Sequence, residues 1–157
     1  MTPADRLVEA RRPEEFKAAR ALIEEYAANL GVDLCFQNVA HELDHLAETY
    51  SPPAGCLLLA RQAGTFMGCG AIRRDSDGVC EMKRLYLRQD ARGTGLGRRI
   101  AEALIANARA LGYRRMVLDT LEPMTAARAL YRSLGFRETP AYYANPLPGV
   151  LYMALEL

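Results

Sequence analysis

The chain has 157 residues, of which 50% are hydrophobic and 25% charged, a composition typical of one globular domain rather than a disordered, collagenous or coiled-coil chain. Its 20 basic and 19 acidic residues give a formal net charge of +1, which argues against a globally basic nucleic-acid binder. It has neither an apolar run long enough for a membrane span nor a stretch typical of a secretory signal, and its four scattered cysteines favour reduced thiols in a cytoplasmic protein.

Apolar spacing and turn residues predict alternating helices and strands along the chain. The predicted helices begin at Pro13, near Val39, at Leu96 and at Met124, with Gly31, Gly112 and Gly135 as caps. The predicted strands lie at 7–10, 56–61, 66–73, 79–87, 114–119, 137–144 and 150–157. This order predicts one domain over residues 1–157, of α/β (α+β) class, with a single mixed, mostly antiparallel sheet flanked by helices.

Basic residues cluster around a glycine-rich turn. The stretch from Val79 to Arg99 has six basic and two acidic residues, a local charge of +4 that leaves −3 for the rest of the chain. Within it, Arg92-Gly-Thr-Gly-Leu-Gly97 separates a predicted strand from a predicted helix. Because glycines let the backbone approach a ligand and helix N-termini favour anions, the turn predicts a phosphate or pyrophosphate site. The alternatives are a purely structural turn and a solvated charged face.

Two motifs resemble those of a known family. Arg92-Gly-Thr-Gly95-Leu-Gly97 fits the Q/R-x-x-G-x-G/A signature of the GNAT superfamily of acetyl-CoA-dependent N-acetyltransferases. Downstream, Ala127-Arg-Ala-Leu-Tyr131-Arg-Ser-Leu-Gly135-Phe136 resembles that family's second motif, A-x-x-x-Y-x-x-x-G-F. The resemblance implies the GNAT fold, one acetyltransferase domain, and acetyl-CoA as the co-substrate.

The resemblance also implies where acetyl-CoA binds. Backbone groups at Leu85 and Leu87 would pair with the pantetheine arm, and amides from Arg92 through Arg98 would surround the pyrophosphate. The implied cofactor-binding residues are Leu85, Tyr86, Leu87, Arg92, Gly93, Thr94, Gly95, Leu96, Gly97, Arg98 and Tyr131. The chain departs from the family at Met124, where many members have an asparagine, so any role of that amide must be absent or filled elsewhere.

Glu81 and Tyr131 are the predicted catalytic residues. Glutamates near the position of Glu81 serve as general bases in some members of the family, and partial burial can raise a carboxyl pKa toward the working range. The alternative is an exposed strand glutamate paired with Lys83. Tyr131 would protonate or hydrogen-bond the leaving thiolate, and its alternative role is that of a core tyrosine. The implied reaction is direct attack of the amine within a ternary complex.

A competing motif, His41-Glu42-Leu43-Asp44-His45, matches the zinc-peptidase pattern H-E-x-x-H. On a helix its two histidines would share a face, and Glu42 could activate a zinc-bound water. The chain has no third histidine, and the surrounding segment is short and polar, so the sequence favours a solvated helix without a metal. A sensor that binds acetyl-CoA without catalysis is the other alternative.

The predicted acceptor is a primary amine of a small molecule, an amino acid or a polyamine, with protein amines as the alternative. The resemblance implies acceptor contacts from the N-terminal helices and the last hairpin. The candidates there are Tyr26, Phe36, Tyr142 and Tyr143. Packing within the hairpin is the alternative role of the adjacent tyrosines. Neither a nucleic acid nor a membrane is expected as a partner, and a homodimer is left open.

Overall fold

The computed structural model describes residues 6–30 and 38–157, so the predicted cap Gly31 lies outside the described residues. The α-helices are α1 Pro13–Leu30, α2 Val39–Asp44, α3 Leu46–Thr49, α4 Leu96–Ala110 and α5 Thr125–Ser133, and Gln89–Ala91 form a short 3-10 helix. The strands are β1 Arg6–Glu9, β2 Cys56–Gln62, β3 Thr65–Ser76, β4 Val79–Leu87, β5 Arg115–Leu121, β6 Arg137–Glu138 and β7 Val150–Glu156. None of the described helices is long and apolar enough to cross a membrane.

The described strands form one seven-stranded sheet in the order β1-β2-β3-β4-β5-β7-β6. Every neighbouring pair is antiparallel except β4 and β5, which are parallel, so the predicted mixed, mostly antiparallel sheet is confirmed. Two boundaries differ from the sequence prediction. The strand predicted at 137–144 is only two residues long, and the helix predicted near Val39 is divided at His45 into α2 and α3.

Helices cover both faces of the sheet, which explains the unbroken apolar run of β2. Cys56, Leu58 and Ala60 face the core beneath α4, whereas Leu57 and Leu59 face the core beneath α1. Successive side chains of a strand point to opposite faces, so a strand buried on both sides needs apolar residues at every position. The two cores therefore lie on opposite faces of the sheet, between it and the helices.

The central feature of the fold is the separation of β4 from β5. These strands pair only over Val79–Glu81 and Arg115–Val117. Beyond this seam β4 continues alongside β3 and β5 alongside β7, and no strand of the described chain lies between them. A register shift in β4 accompanies the separation, and Arg84 at the shift has a φ of 61°, in the left-handed region. The diverging strands leave a wedge that opens on both sides of the sheet.

Candidate active site

An open cleft of about 570 Å³, termed the outer cleft, lies beside the glycine turn between β4 and α5. Its lining residues are Leu85, Tyr86, Leu87, Arg92, Gly93, Gly95, Gly97, Arg98, Pro123, Met124, Thr125, Ala126, Ala127, Leu130 and Tyr131. Most of the predicted cofactor-binding residues are in this set, and Thr94 and Leu96 are not. The Leu96 side chain is buried in the core, and the Thr94 hydroxyl donates to the Ala91 carbonyl at 2.6 Å.

The glycine turn brings backbone, rather than large side chains, to the wall of the outer cleft. Gly93 and Gly95 have φ values of 76° and 82°, which other residues adopt only with strain. Gly95 precedes α4, whose first turn has amides without intrahelical acceptors and a partial positive charge. The Arg92 amide instead donates to the Gln89 carbonyl at 3.1 Å, so the amides available to an anion begin at Gly93. This arrangement suits a phosphate group.

The basic stretch that surrounds the turn is not one anion-binding set. Arg84 is buried and donates to both oxygens of Glu42, at 2.8 and 3.1 Å. Arg88 pairs with Glu25 at 3.1 Å, on the side of the sheet covered by α1. The basic residues that line the outer cleft are Arg92 and Arg98. A single bound anion therefore does not account for the whole +4 stretch, because carboxylates far away in the sequence pair with two of its cations.

A second cavity, termed the inner cavity, encloses about 60 Å³ where β4 and β5 separate. Its lining residues are Tyr26, Leu30, Met82, Lys83, Arg84, Leu85, Asp119, Thr120, Leu121, Met124, Tyr131, Asn145 and Leu147. Leu85, Met124 and Tyr131 line both cavities, so the two spaces meet at these side chains. Met124, at the position where the family often has an asparagine, presents a thioether there and accepts a long contact of 3.8 Å from the Thr120 hydroxyl.

Tyr131 lies at this junction. The side chain is buried, and its ring packs edge-on against Phe136 with centroids 5.7 Å apart. Its hydroxyl has no hydrogen-bond partner among the residues that the structure describes, which leaves it available to a ligand in either cavity. Burial raises the Tyr131 pKa, with smaller contributions from Tyr26 and the Asp119 charge. The phenol therefore stays protonated at neutral pH and can act as a hydrogen-bond donor.

Glu81 forms the last residue pair of the seam, with Val117, but lines neither cavity. Its side chain is 3% exposed, and its carboxylate accepts hydrogen bonds from Arg73 Nε at 3.1 Å and from the Tyr142 hydroxyl at 2.5 Å. The alternative of an exposed glutamate paired with Lys83 is therefore wrong. Burial, followed by the charge of Glu81, raises the pKa of Tyr142 and keeps that hydroxyl protonated. Glu81 can reach the inner cavity only through other groups.

Asp119 is a carboxylate that the sequence analysis did not single out. It lies in β5, beyond the seam, and lines the inner cavity. Its Oδ2 atom accepts hydrogen bonds from the Tyr143 hydroxyl and from Asn145 Nδ2, the latter at 3.1 Å. The available signal was an acidic residue within an apolar strand beside the strand carrying Glu81. Of the four predicted acceptor residues, Tyr26 lines the inner cavity, and Phe36 lies outside the described residues.

The H-E-x-x-H motif has a different role in the structure. Helix α2 ends at Asp44, and the His41 and His45 rings stack with centroids 4.1 Å apart. Glu42 points away into the buried ion pair with Arg84, so it is not placed to activate a metal-bound water. Across residues 6–30 and 38–157, no group of three or more histidine, cysteine or acidic side chains is arranged to hold a metal ion.

Comparisons with known proteins identify relatives of this chain. Residues 17–136 match the family model described as the acetyltransferase (GNAT) family. An uncharacterised N-acetyltransferase of Schizosaccharomyces pombe is 44% identical over 147 residues, which cover 92% of this chain and 90% of that protein. A GNAT-family acetyltransferase from Staphylococcus aureus superimposes with a TM-score of 0.80 at 17% identity, covering 98% of this chain and 99% of the other. An acetyltransferase structure from Salmonella typhimurium, solved with its cofactor acetyl-CoA, gives a TM-score of 0.67 at 22% identity, covering 98% and 94%.

Proposed function

The chain belongs to the GNAT family of acetyltransferases, and we propose that it transfers the acetyl group of acetyl-CoA to the primary amine of a small molecule. The observation that carries the proposal is the meeting of the outer cleft and the inner cavity at Leu85, Met124 and Tyr131. A donor in one space and an acceptor in the other would react at that junction. The small volume of the inner cavity supports a small acceptor.

The residues of the outer cleft fit acetyl-CoA. The cleft has the volume of a typical ligand site, the glycines of the turn line it, and Arg92 and Arg98 border it. Past the seam, the β4 edge that faces β5 has no strand partner in the described chain, so an extended amide-containing arm can pair with it. When bound, the coenzyme supplies an acetyl group activated as a thioester.

Two side chains supply the proton transfers at the junction. Asp119, which lines the inner cavity, accepts the proton of the attacking amine, and Tyr131 donates its hydroxyl hydrogen toward the sulfur. The nitrogen–carbon bond forms as the carbon–sulfur bond breaks, and the thiolate leaves as the protonated thiol. Glu81, held between Arg73 and Tyr142, orients the tyrosine of the hairpin and is the second candidate base.

The general reaction is tested by measuring thiol release from acetyl-CoA with a panel of amines, and by identifying the acetylated product by mass spectrometry. We expect acetyl-CoA-dependent product with at least one small primary amine. Tight binding of acetyl-CoA without turnover on any amine would overturn catalysis and favour the non-catalytic sensor. Acetylation restricted to protein amines would overturn the small-molecule acceptor.

The identity of the base is tested by pH–rate profiles of Asp119→Asn and Glu81→Gln. With Asp119 as the base, Asp119→Asn loses the limb of the kcat/KM profile that reports its ionisation, whereas Glu81→Gln keeps that limb. The reverse result would assign the base to Glu81. Asp75→Asn, an exposed aspartate outside both cavities, is the control and should leave the profile unchanged.

A further inference from the structure

The inner cavity is lined by a buried cation that forms no direct ion pair with the residues that the structure describes. Lys83 of β4 is only 8% exposed and lines this cavity. Its ammonium group makes no hydrogen bond or ion pair within the described part of the chain. The nearby carboxylates are already engaged, since Glu81 accepts from Arg73 and Tyr142, and Glu42 accepts from Arg84 in the buried pair.

Burying an unpaired ammonium group is unfavourable, so such a group in a cavity wall is suited to an anionic ligand. Burial lowers the pKa of Lys83, and the neighbouring charge of Arg84 lowers it further. An anion bound beside the ammonium would raise the pKa of Lys83 and so oppose both effects. The cavity wall therefore offers a site for negative charge that the acetyl-transfer chemistry itself does not use.

A carboxylate, that of Asp119, lines the same cavity. Its charge acts on Tyr131, at the junction with the outer cleft, and on Tyr26 in the inner cavity. Besides burial, the charges of Arg84 and Arg73 lower the pKa of Lys83, whereas those of Glu81 and Glu42 raise it. The inner cavity is thus lined by both an acidic and a basic group. A ligand with an amine and an anionic group would match this pair of opposite charges.

We propose that the acceptor is an amino carboxylate, and that Lys83 binds its carboxylate while its amine lies near Asp119 and Tyr131. This inference rests on the proposed function and narrows its acceptor. A single ammonium in a small cavity matches one carboxylate, and α-amino acids are the most compact molecules with both groups. Polyamines fit poorly, because their additional positive charges would approach Lys83.

The test compares α-amino acids with their decarboxylated amines, and with spermidine, in the thiol-release assay. We expect the enzyme to favour amino acids by about 10- to 100-fold in kcat/KM, the range expected for one charge-assisted contact. Lys83→Met should remove this preference, mainly through a higher KM for the amino acid, while the decarboxylated amines change little. Lys83→Arg retains the charge and should retain much of the preference.

Two further readouts separate this inference from a fold defect and from failure of the proposed function. Lys83→Met removes an unpaired buried charge, so its Tm should not fall, and its affinity for acetyl-CoA should be unchanged. Turnover of spermidine or decarboxylated amines as efficiently as amino acids, or an undiminished preference in Lys83→Met, overturns the inference alone. Absence of turnover on every amine, with acetyl-CoA still bound, overturns the proposed function and this inference with it.

Discussion

Removing the Glu42 carboxylate is expected to destabilise the fold strongly, because the buried Arg84 guanidinium would lose the carboxylate that accepts two of its hydrogen bonds. The two side chains are 5% and 4% exposed, and two hydrogen bonds of 2.8 and 3.1 Å join them. Breaking a buried pair on one side typically costs about 3–5 kcal/mol. For a domain of this size, that loss in Glu42→Ala corresponds to a fall in Tm of about 6–20 °C.

Urea unfolding followed by circular dichroism measures this loss directly. Glu24→Ala is the matched control, because Glu24 pairs with Arg20 on the exposed face of α1, with side chains 54% and 45% exposed. That variant should lose less than about 0.5 kcal/mol. Replacing both members of the buried pair with apolar residues should recover much of the loss. A Glu42→Ala variant as stable as the control would refute the reasoning, since the pair would then behave as if solvated.

The remaining predictions concern the junction, the turn and acid stability. Tyr131→Phe should lower kcat by about 100-fold or more with acetyl-CoA affinity little changed, because it removes the proton donor. Tyr113→Phe, outside both cavities, is the control and should leave kcat unchanged. Equal kcat values for the two variants would exclude Tyr131 as the donor. Gly95→Ala and Gly64→Ala introduce comparable backbone strain, because the two φ values are 82° and 83° and no neighbour lies near the added Cβ. Each variant should lose about 1–2 kcal/mol of folding stability. Only Gly95→Ala should weaken acetyl-CoA binding measured by calorimetry. Burial alone would raise the Glu42 pKa, but Arg84 holds it below its ordinary value of 4.5. The stabilisation of the fold by ionised Glu42 is therefore present above about pH 4.5 and is lost as the pH falls through the lowered folded-state pKa. In Glu42→Gln, the free energy of unfolding should fall less steeply with acidification.

The sequence predicted the local features of the site well, because they depend on residues close together in the chain. Gly93 and Gly95 adopt the left-handed conformations that a glycine-rich turn suggests, and α4 begins at Leu96, as predicted. The three-strand meander and the helices after it also follow from short-range patterns of apolar and turn residues. Most of the residues that the resemblance implied for coenzyme binding line one cleft in the structure.

The features of the site that the sequence analysis missed depend on pairing between residues far apart in the chain. Arg84 and Arg88 belong to the basic stretch, but their partners Glu42 and Glu25 lie 42 and 63 residues earlier, and no spacing rule links them. Asp119 likewise lines a cavity because β5 separates from β4 before this residue, and the local sequence does not indicate that separation. The H-E-x-x-H motif shows the same limit, since its glutamate is recruited by an arginine distant in sequence rather than by a metal.

The short seam between β4 and β5 has a mechanical consequence. Only three residue pairs join the two halves of the sheet, and both cavities begin where that pairing stops. A substitution that spreads the strands at Cys80 or Met116, both fully buried at the seam, would change the shape of both cavities together. Acceptor selectivity and coenzyme affinity are therefore linked by geometry, and variants that accommodate a bulkier acceptor by widening the wedge are expected to show altered coenzyme binding as well.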